Sequence, residues 1–317
     1  MVKKLALVYP GQGSQKIGMG KEFFDSFAES KETFQEIDET LKQNLSQLIF
    51  SGEQAELTKT ENAQPALMAV SLAIMNALVK QTSKNISEFA EYVAGHSLGE
   101  YSALAASNAM SINDTATILK IRGVAMANAG EKHKGTMAAI IGTDIDTADK
   151  IASEAAEGEV CQIANDNSEG QIVISGTVGA VNRAIKIGKE HGAKRVIPLP
   201  VSGAFHSELV KEAADRVQAG LENIILQAPS IPVIANVTAK AEQDPTTIAN
   251  LLVTQVTSKV RWRESILELK NLGVTDIIEV GSGNVLTGLV KRISPEIVCQ
   301  NISTPHDLDN FVETYFN

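Results

Sequence analysis

Cysteine, tryptophan and excess positive charge are what this sequence has least of. Its 317 residues include two cysteines, Cys161 and Cys299, far apart and outside any ligand-spacing motif. That excludes a disulfide framework and a cysteine-based zinc site, and no other metal site is expected; a reducing cytoplasm is the expected compartment. The formal net charge is -10, so the chain lacks the broad basic face that nucleic-acid binding needs, and an acidic protein partner would require basic residues clustered locally. Long apolar runs are lacking too. The longest, Ala66 to Val79, is interrupted by Ser71 and Asn76 and reads as a core helix, not a bilayer span, so no membrane is expected. Met1-Val2-Lys3-Lys4 before an apolar stretch imitates a leader, but the stretch ends at Pro10-Gly11 and reads as a first strand. A dinucleotide loop is missing as well: Gly11-Gln12-Gly13 starts one, but the third glycine of G-x-G-x-x-G would fall at Lys16. No P-loop, repeat or low-complexity segment occurs.

What is present suits one large α/β domain or two modest ones: 44% of the residues are hydrophobic. Leu5 to Tyr9 predicts a strand, followed by a glycine-rich turn and helical stretches through Val79. Tyr92-Val93-Ala94 predicts a strand leading into Gly95, and Leu98 to Ala106 a helix. Between Lys132 and Leu199 the pattern changes. Strands at Met137 to Ile141, Val160 to Ala164, Ile172 to Ser175 and Arg195 to Leu199 alternate with two helices, one capped by Asp146 and ending at Ala156, the other running from Val178 to His191 and closed by Gly192. That order is βαββαβ, the ferredoxin-like arrangement. Strands resume at Val233 to Ala235 and Asp276 to Val280. The expected fold is therefore α/β: an α/β-hydrolase-like large subdomain with a mainly parallel sheet (residues 1–131 and 200–317) carrying an inserted ferredoxin-like small subdomain (residues 132–199).

Gly95-His96-Ser97-Leu98-Gly99 fits G-x-S-x-G between a strand and a helix. Such a sharp turn lifts the serine hydroxyl clear of the sheet, and the helix start supplies free N–H donors for an acyl oxyanion. Losing one such donor typically costs about 3 kcal/mol of barrier. Ser97 is thus the candidate nucleophile of an acyl-transferring enzyme; the plainer reading is a serine in a tight turn. A serine needs a base, and five histidines are available. His96 lies inside the turn and is expected to point away. His133 falls in the polar Glu131 to Gly135 loop, His191 ends a helix, and His306 follows Pro305. His206, in Gly203-Ala204-Phe205-His206-Ser207, stands where the chain returns from the inserted unit and is the candidate base, against a structural histidine bonded in its loop. No acid declares itself as its partner; Glu279 and Asp276 lie near a late strand, and a backbone carbonyl can orient an imidazole instead. Gln12 either lines the site or belongs to a plain turn. Arg122 shares a helix face with Ile118 and Met126, so it needs an anionic partner: an internal carboxylate or a substrate carboxylate.

These strings, with Pro10-Gly11-Gln12-Gly13-Ser14-Gln15, Gln64-Pro65-Ala66-Leu67, Glu100-Tyr101, Arg122-Gly123, Ala138 to Gly142, and Gln255 ahead of Val260 and Trp262, resemble malonyl-CoA:acyl carrier protein transacylases of bacterial type II fatty-acid synthesis over nearly the whole chain. The resemblance implies a malonyl ester on Ser97, His206 as its base, and an oxyanion hole from the backbone N–H groups of Gln12 and Leu98. It implies that Arg122 binds the malonyl carboxylate, that the main-chain carbonyl of Gln255 orients His206, and that Phe205 favours malonyl over methylmalonyl. Met126 and Asn167 join the expected substrate-binding set. The family often has Asn-Ser-Pro where this chain has Asn167-Ser168-Glu169, a departure at the cleft mouth. Malonyl-CoA and acyl carrier protein are the implied partners, with no cofactor and a monomeric enzyme. Because the carrier is acidic in this family, the basic pairs Lys194-Arg195, placed at the hinge, and Lys291-Arg292 are the expected docking patch. An esterase using the same elbow and a non-catalytic scaffold are the other classes considered; the coincidence of Ser97, His206 and Arg122 argues against the scaffold.

Overall fold

In the computed structural model, which describes residues 3–316, ten strands divide between two sheets. Met1, Val2 and Asn317, the outermost residues of the expected large subdomain, lie outside the described residues. In chain order the strands are β1 (Leu5–Tyr9), β2 (Tyr92–Gly95), β3 (Gly135–Ile141), β4 (Cys161–Ser168), β5 (Gln171–Thr177), β6 (Arg195–Pro198), β7 (Val233–Ile234), β8 (Ala241–Glu242), β9 (Asp276–Val280) and β10 (Val298–Ile302).

Six of them form one sheet, ordered β10-β9-β1-β2-β7-β8, and every pair is parallel except the short β7–β8 hairpin. β1 and β9 are buried along their whole lengths; Leu-Ala-Leu-Val-Tyr is the unbroken apolar run of a strand covered on both faces, whereas Asp-Ile-Ile-Glu-Val also buries the two carboxylates Asp276 and Glu279. Strands β8 and β10 carry no clear sequence signal: the first is two residues long, and the second is a half-polar edge strand, Val-Cys-Gln-Asn-Ile. The Thr60–Thr82 helix packs on this sheet. By length and composition it is long enough to cross a membrane, contrary to the reading of its apolar run, but 89% of its apolar window is buried inside the fold. Its hydrophobic surface is taken up by the core.

The other four strands form an antiparallel sheet ordered β4-β5-β3-β6, with helices Ile145–Ala156 and Val178–Ile187 as its crossovers. This is the ferredoxin-like order. The helices bury Ala148, Ile151, Ala152 and Ala155, and Val181 and Ala184, against it. Two details differ from expectation. The first helix is capped by Asp144, whose carboxylate accepts the Thr147 N–H at 2.8 Å; Asp146 sits inside the first turn, where its side chain cannot reach that donor. The second helix ends at Ile187, because the chain leaves it at Gly188 and turns through Gly192, whose φ is 90°.

β4 ties the two sheets together. Val260 bonds Ala164 and Asp166 through its N–H and C=O, at 2.9 and 3.0 Å. Arg263 clasps the buried Asp166 carboxylate, with Nε 3.0 Å from both oxygens. The end of β4 is thereby held at the C-terminal edge of the parallel sheet, beside the turn after β2.

Candidate active site

Sterics fix the turn after β2. A Cβ on Gly95 would lie 1.9 Å from the Gly99 carbonyl, and one on Gly99 would lie 2.2 Å from Tyr9 O, so only glycine lets β2, the turn and β1 approach this closely. Between them Ser97 is held at φ 54°, a left-handed conformation that is costly for serine and typical of a nucleophile elbow. Asn236, just after β7, clamps the turn from both sides: its Oδ1 accepts the Ser97 N–H at 2.8 Å and its Nδ2 donates to Gly95 O at 2.7 Å.

Ser97 Oγ lies 2.8 Å from His206 Nε2. His206 Nδ1 faces two main-chain carbonyls, Gln255 O at 2.9 Å and Ser258 O at 3.1 Å. Carbonyls only accept, so Nδ1 carries the proton and Nε2 keeps its lone pair for the serine. Burial, and then the Arg122 guanidinium, hold the imidazole down to about 3, which keeps it neutral near neutral pH.

Arg122 is 1% exposed. Its Nη1 donates to Gln64 Oε1 at 2.7 Å, and Nη2 donates to Ser97 Oγ and Gln255 Oε1, both at 3.0 Å. Among the described residues no carboxylate pairs with it directly and its Nε has no partner. The internal salt bridge that would have made it purely structural is not there. A second chain of bonds runs away from it: Gln64 Nε2 donates to Thr60 Oγ1 at 2.9 Å, and Thr60 donates to Gln12 Oε1 at 3.0 Å.

A cavity of about 270 Å³ opens on Ser97, and Gln12, Leu98, Arg122, Met126, Asn167, Phe205 and His206 all line it. Among the described residues no hydrogen bond engages the backbone N–H of Gln12 or Leu98. Gln255 stands elsewhere. It is fully buried behind the cavity wall, so it reaches substrate only through Arg122, Ser97 and His206. His96 does not point away as its place in the turn suggested. Its Nε2 lies 2.8 Å from Asn167 Oδ1, its ring sits 5.6 Å from Trp262, and it lines the cavity, because β4 is brought across the turn by Val260 and Arg263. His133 lies in the last turn of the Ile112–His133 helix and not in a loop, facing Glu212 at 3.8 Å, while His191 pairs with Glu154 at 3.1 Å. Glu279 caps the Val285–Ile293 helix by accepting the N–H groups of Leu286 and Thr287.

The sequence reading missed four contributors. Gln64 and Glu100 lie inside quoted strings but received no role. Ser258 and Asn236 follow no recognisable pattern. The basic pairs also move: Lys194-Arg195 lies at the start of β6, the end remote from the hinge peptide, since β6 re-enters the large subdomain through Pro198. Lys291 and Arg292 end the Val285–Ile293 helix.

An elbow serine bonded to a buried histidine, on a mainly parallel sheet, is the site of a serine-dependent acyl-group enzyme. The chain belongs to the acyl transferase domain family, which matches residues 6–302. It is 43% identical over 314 residues to the malonyl CoA-acyl carrier protein transacylase of Bacillus subtilis (strain 168), covering 99% of this chain and 98% of that one. Among solved structures it is similar to an acyl-carrier-protein-S-malonyltransferase from Bartonella henselae, with TM-score 0.95 and 46% identity over 98% of this chain and 99% of that one. It is also similar to a malonyl-transacylase solved in complex with a type II PKS acyl-carrier protein, with TM-score 0.94 and 38% identity over 98% of this chain and 100% of that one.

Proposed function

We propose that this enzyme moves a malonyl group from malonyl-CoA to the phosphopantetheine thiol of an acyl carrier protein through a malonyl-Ser97 ester, supplying fatty-acid elongation. The observation that carries the reading is Arg122: a buried guanidinium, paired only with neutral oxygens, 3.0 Å from the nucleophile. A cation placed there calls for an acyl group with its own carboxylate.

Ser97 Oγ attacks the thioester carbonyl while His206 Nε2 takes its proton. The Gln255 and Ser258 carbonyls stabilise the imidazolium that results. The N–H groups of Gln12 and Leu98 receive the oxyanion. CoA leaves as the thiol, protonated by His206. The carrier thiol then attacks the ester, gives its proton to His206, and Ser97 departs with that proton. This ping-pong sequence requires neither metal nor cofactor. Met126 and Phe205 form the apolar wall that limits acyl bulk, with Phe205 disfavouring methylmalonyl, and Asn167 with His96 borders the entrance.

The carrier docks on Lys194, Arg195, Lys291 and Arg292. Supporting this, Ile141 is paired with both Gln171 and Arg195, and Arg292 donates to Gln171 at 2.6 Å, so the two pairs converge on one end of the small sheet. The enzyme acts as a monomer in the cytoplasm, where its two free thiols stay reduced.

Intact-mass measurement after adding malonyl-CoA tests this. A malonyl adduct on wild type, absent from Ser97→Ala and discharged by holo carrier protein, is the expected result. Steady CoA release with no adduct and no carrier product would indicate a hydrolase and overturn the reading.

A further inference from the structure

Glu100, three residues after the nucleophile, has no part in the mechanism above and yet is 1% exposed. Its Oε2 accepts two hydrogen bonds, from Gln255 Nε2 at 2.7 Å and from the Asn236 N–H at 3.1 Å. Both donors belong to residues that hold the site. Asn236 clamps the elbow, and Gln255 touches Arg122, Ser97 and His206.

We infer that Glu100 is a positioning residue of this reaction: its carboxylate fixes which way round the Gln255 amide sits, and thereby how Arg122 is presented to the acyl carboxylate. The inference rests on the malonyl-transfer reading. A glutamine amide has a donor end and an acceptor end of nearly the same shape, and its neighbours decide the orientation. A carboxylate offers only lone pairs, so the Gln255 NH₂ must face Glu100, where it also donates to Ser97 O at 3.0 Å. The Gln255 oxygen is then forced toward Arg122 Nη2, at 3.0 Å. Reversed, the amide would set its NH₂ against the guanidinium and its oxygen against the carboxylate, two unfavourable contacts in a buried site.

The arrangement also explains how the arginine stays available. A carboxylate bonded directly to Arg122 would compete with the substrate's own. Here the counter-charge is one amide away, relayed through Gln255, and the guanidinium, which lies 5.5 Å from the Tyr101 ring centroid, hydrogen-bonds only to neutral oxygens that an acyl carboxylate can supplant. Burial pushes the Glu100 carboxyl up to about 7, while its bonds to Gln255 and Asn236 and the Arg122 charge pull back toward the ionised form that accepts both bonds.

The test compares the initial rates at which malonyl-CoA and acetyl-CoA load Ser97, read by quench and intact mass. In Glu100→Ala the malonyl-to-acetyl ratio falls by about 10- to 100-fold, the effect of losing a buried hydrogen-bonded anchor. Glu100→Gln, which still offers an oxygen at the same place, recovers most of the ratio. In a Gln255→Ala background, removing Glu100 lowers the ratio no further, because the two act in series. If Glu100→Ala fails to fold, Glu100→Asp, whose shorter side chain cannot reach Gln255, takes its place with the same expectation. A folded variant that lowers both loading rates by one factor, or a Glu100→Gln variant no better than alanine, overturns the inference while leaving malonyl transfer standing. A wild-type enzyme that takes up no malonyl group overturns the reading beneath it, and the inference with it.

Discussion

Arg122→Ala separates recognition of the acyl group from the chemistry on Ser97. The guanidinium reaches the nucleophile through Nη2, which shares Ser97 Oγ and Gln255 Oε1, while its buried Nε has no hydrogen-bond partner among the described residues. A malonyl carboxylate gripped by two charge-assisted bonds gains about 1.5–3 kcal/mol from each, so truncation costs about 3–6 kcal/mol. That corresponds to about a 10²- to 10⁴-fold loss of kcat/KM for malonyl-CoA. Acetyl has no carboxylate, and in wild type it leaves the buried cation without an anionic partner. Removing the cation removes that penalty, so acetyl loading is retained or rises. The fold is not expected to collapse. Truncation strands Gln64 Oε1 and Gln255 Oε1, at about 1–3 kcal/mol each, but the desolvation of a buried charge disappears at the same time. The assay is the pair of kcat/KM values for malonyl-CoA and acetyl-CoA on wild type and variant, with a melting curve to establish folding. Equal losses on both substrates by a folded variant would refute the reasoning, since they would mean that Arg122 supports the nucleophile and not the acyl carboxylate.

The same substitution makes a statement about pH. After burial, the Arg122 charge is the largest influence holding the His206 imidazole down, with His96 a smaller one, so removing Arg122 moves His206 up toward its ordinary 6.5. Acetyl loading by Arg122→Ala therefore loses activity at a higher pH on the acid side than wild type does, in a rate profile from pH 4 to 8; an unchanged or lower acid limb would contradict the placement of that charge. Reversing Lys291 and Arg292 to glutamate raises KM for the carrier protein, more strongly at low salt than at high, while the rate of loading from malonyl-CoA is kept. A salt-independent effect, or equal damage to both half-reactions, would move the docking surface elsewhere.

The legible parts of this molecule are those where local chemistry and global fold demand the same residue. Gly95 and Gly99 show in the sequence because no other residue fits against the Gly99 backbone and Tyr9 O. β1 and β2 show because a strand covered on both faces needs a continuous apolar run, and β9 shows through Ile277, Ile278 and Val280. The order of the small sheet follows from the alternation of strand and helix signals in one stretch of chain. By contrast, β8 and β10 are edge elements with little apolar content, and a pattern method has nothing to find there. The site divides the same way. Ser97 announces itself by a motif, and Arg122 by being charged on an apolar helix face. Asn236 and Ser258 contribute an amide and a carbonyl from loops whose position depends on the entire sheet, and no local spacing encodes that. The direction of His96 is hidden for a related reason. From the turn alone its side chain leaves the site, and only the docking of β4 across the turn supplies Asn167 as its partner.

β4 also bears on how the enzyme selects its acyl group. The small subdomain contributes Met137, Asn167 and Val173 to the cavity, so any swing of that subdomain would change the pocket. Several attachments resist such a swing, among them the Val260 backbone bonds to Ala164 and Asp166, the Arg263 clasp on Asp166, and Gln162, whose amide lies against the carbonyls of His206 and Thr257 and accepts the Glu208 N–H. Asp166 is buried, so its ion pair is poorly screened by salt and costly to open. Gln162 links the strand to the same peptide that carries the base, so a displacement of β4 large enough to widen the pocket would also disturb His206. Under the proposed function, selection then falls to a fixed wall and a fixed cation: an acyl group would fit between Met126 and Phe205 while placing its carboxylate on Arg122, and the subdomain junction would hold that geometry for both half-reactions at Ser97.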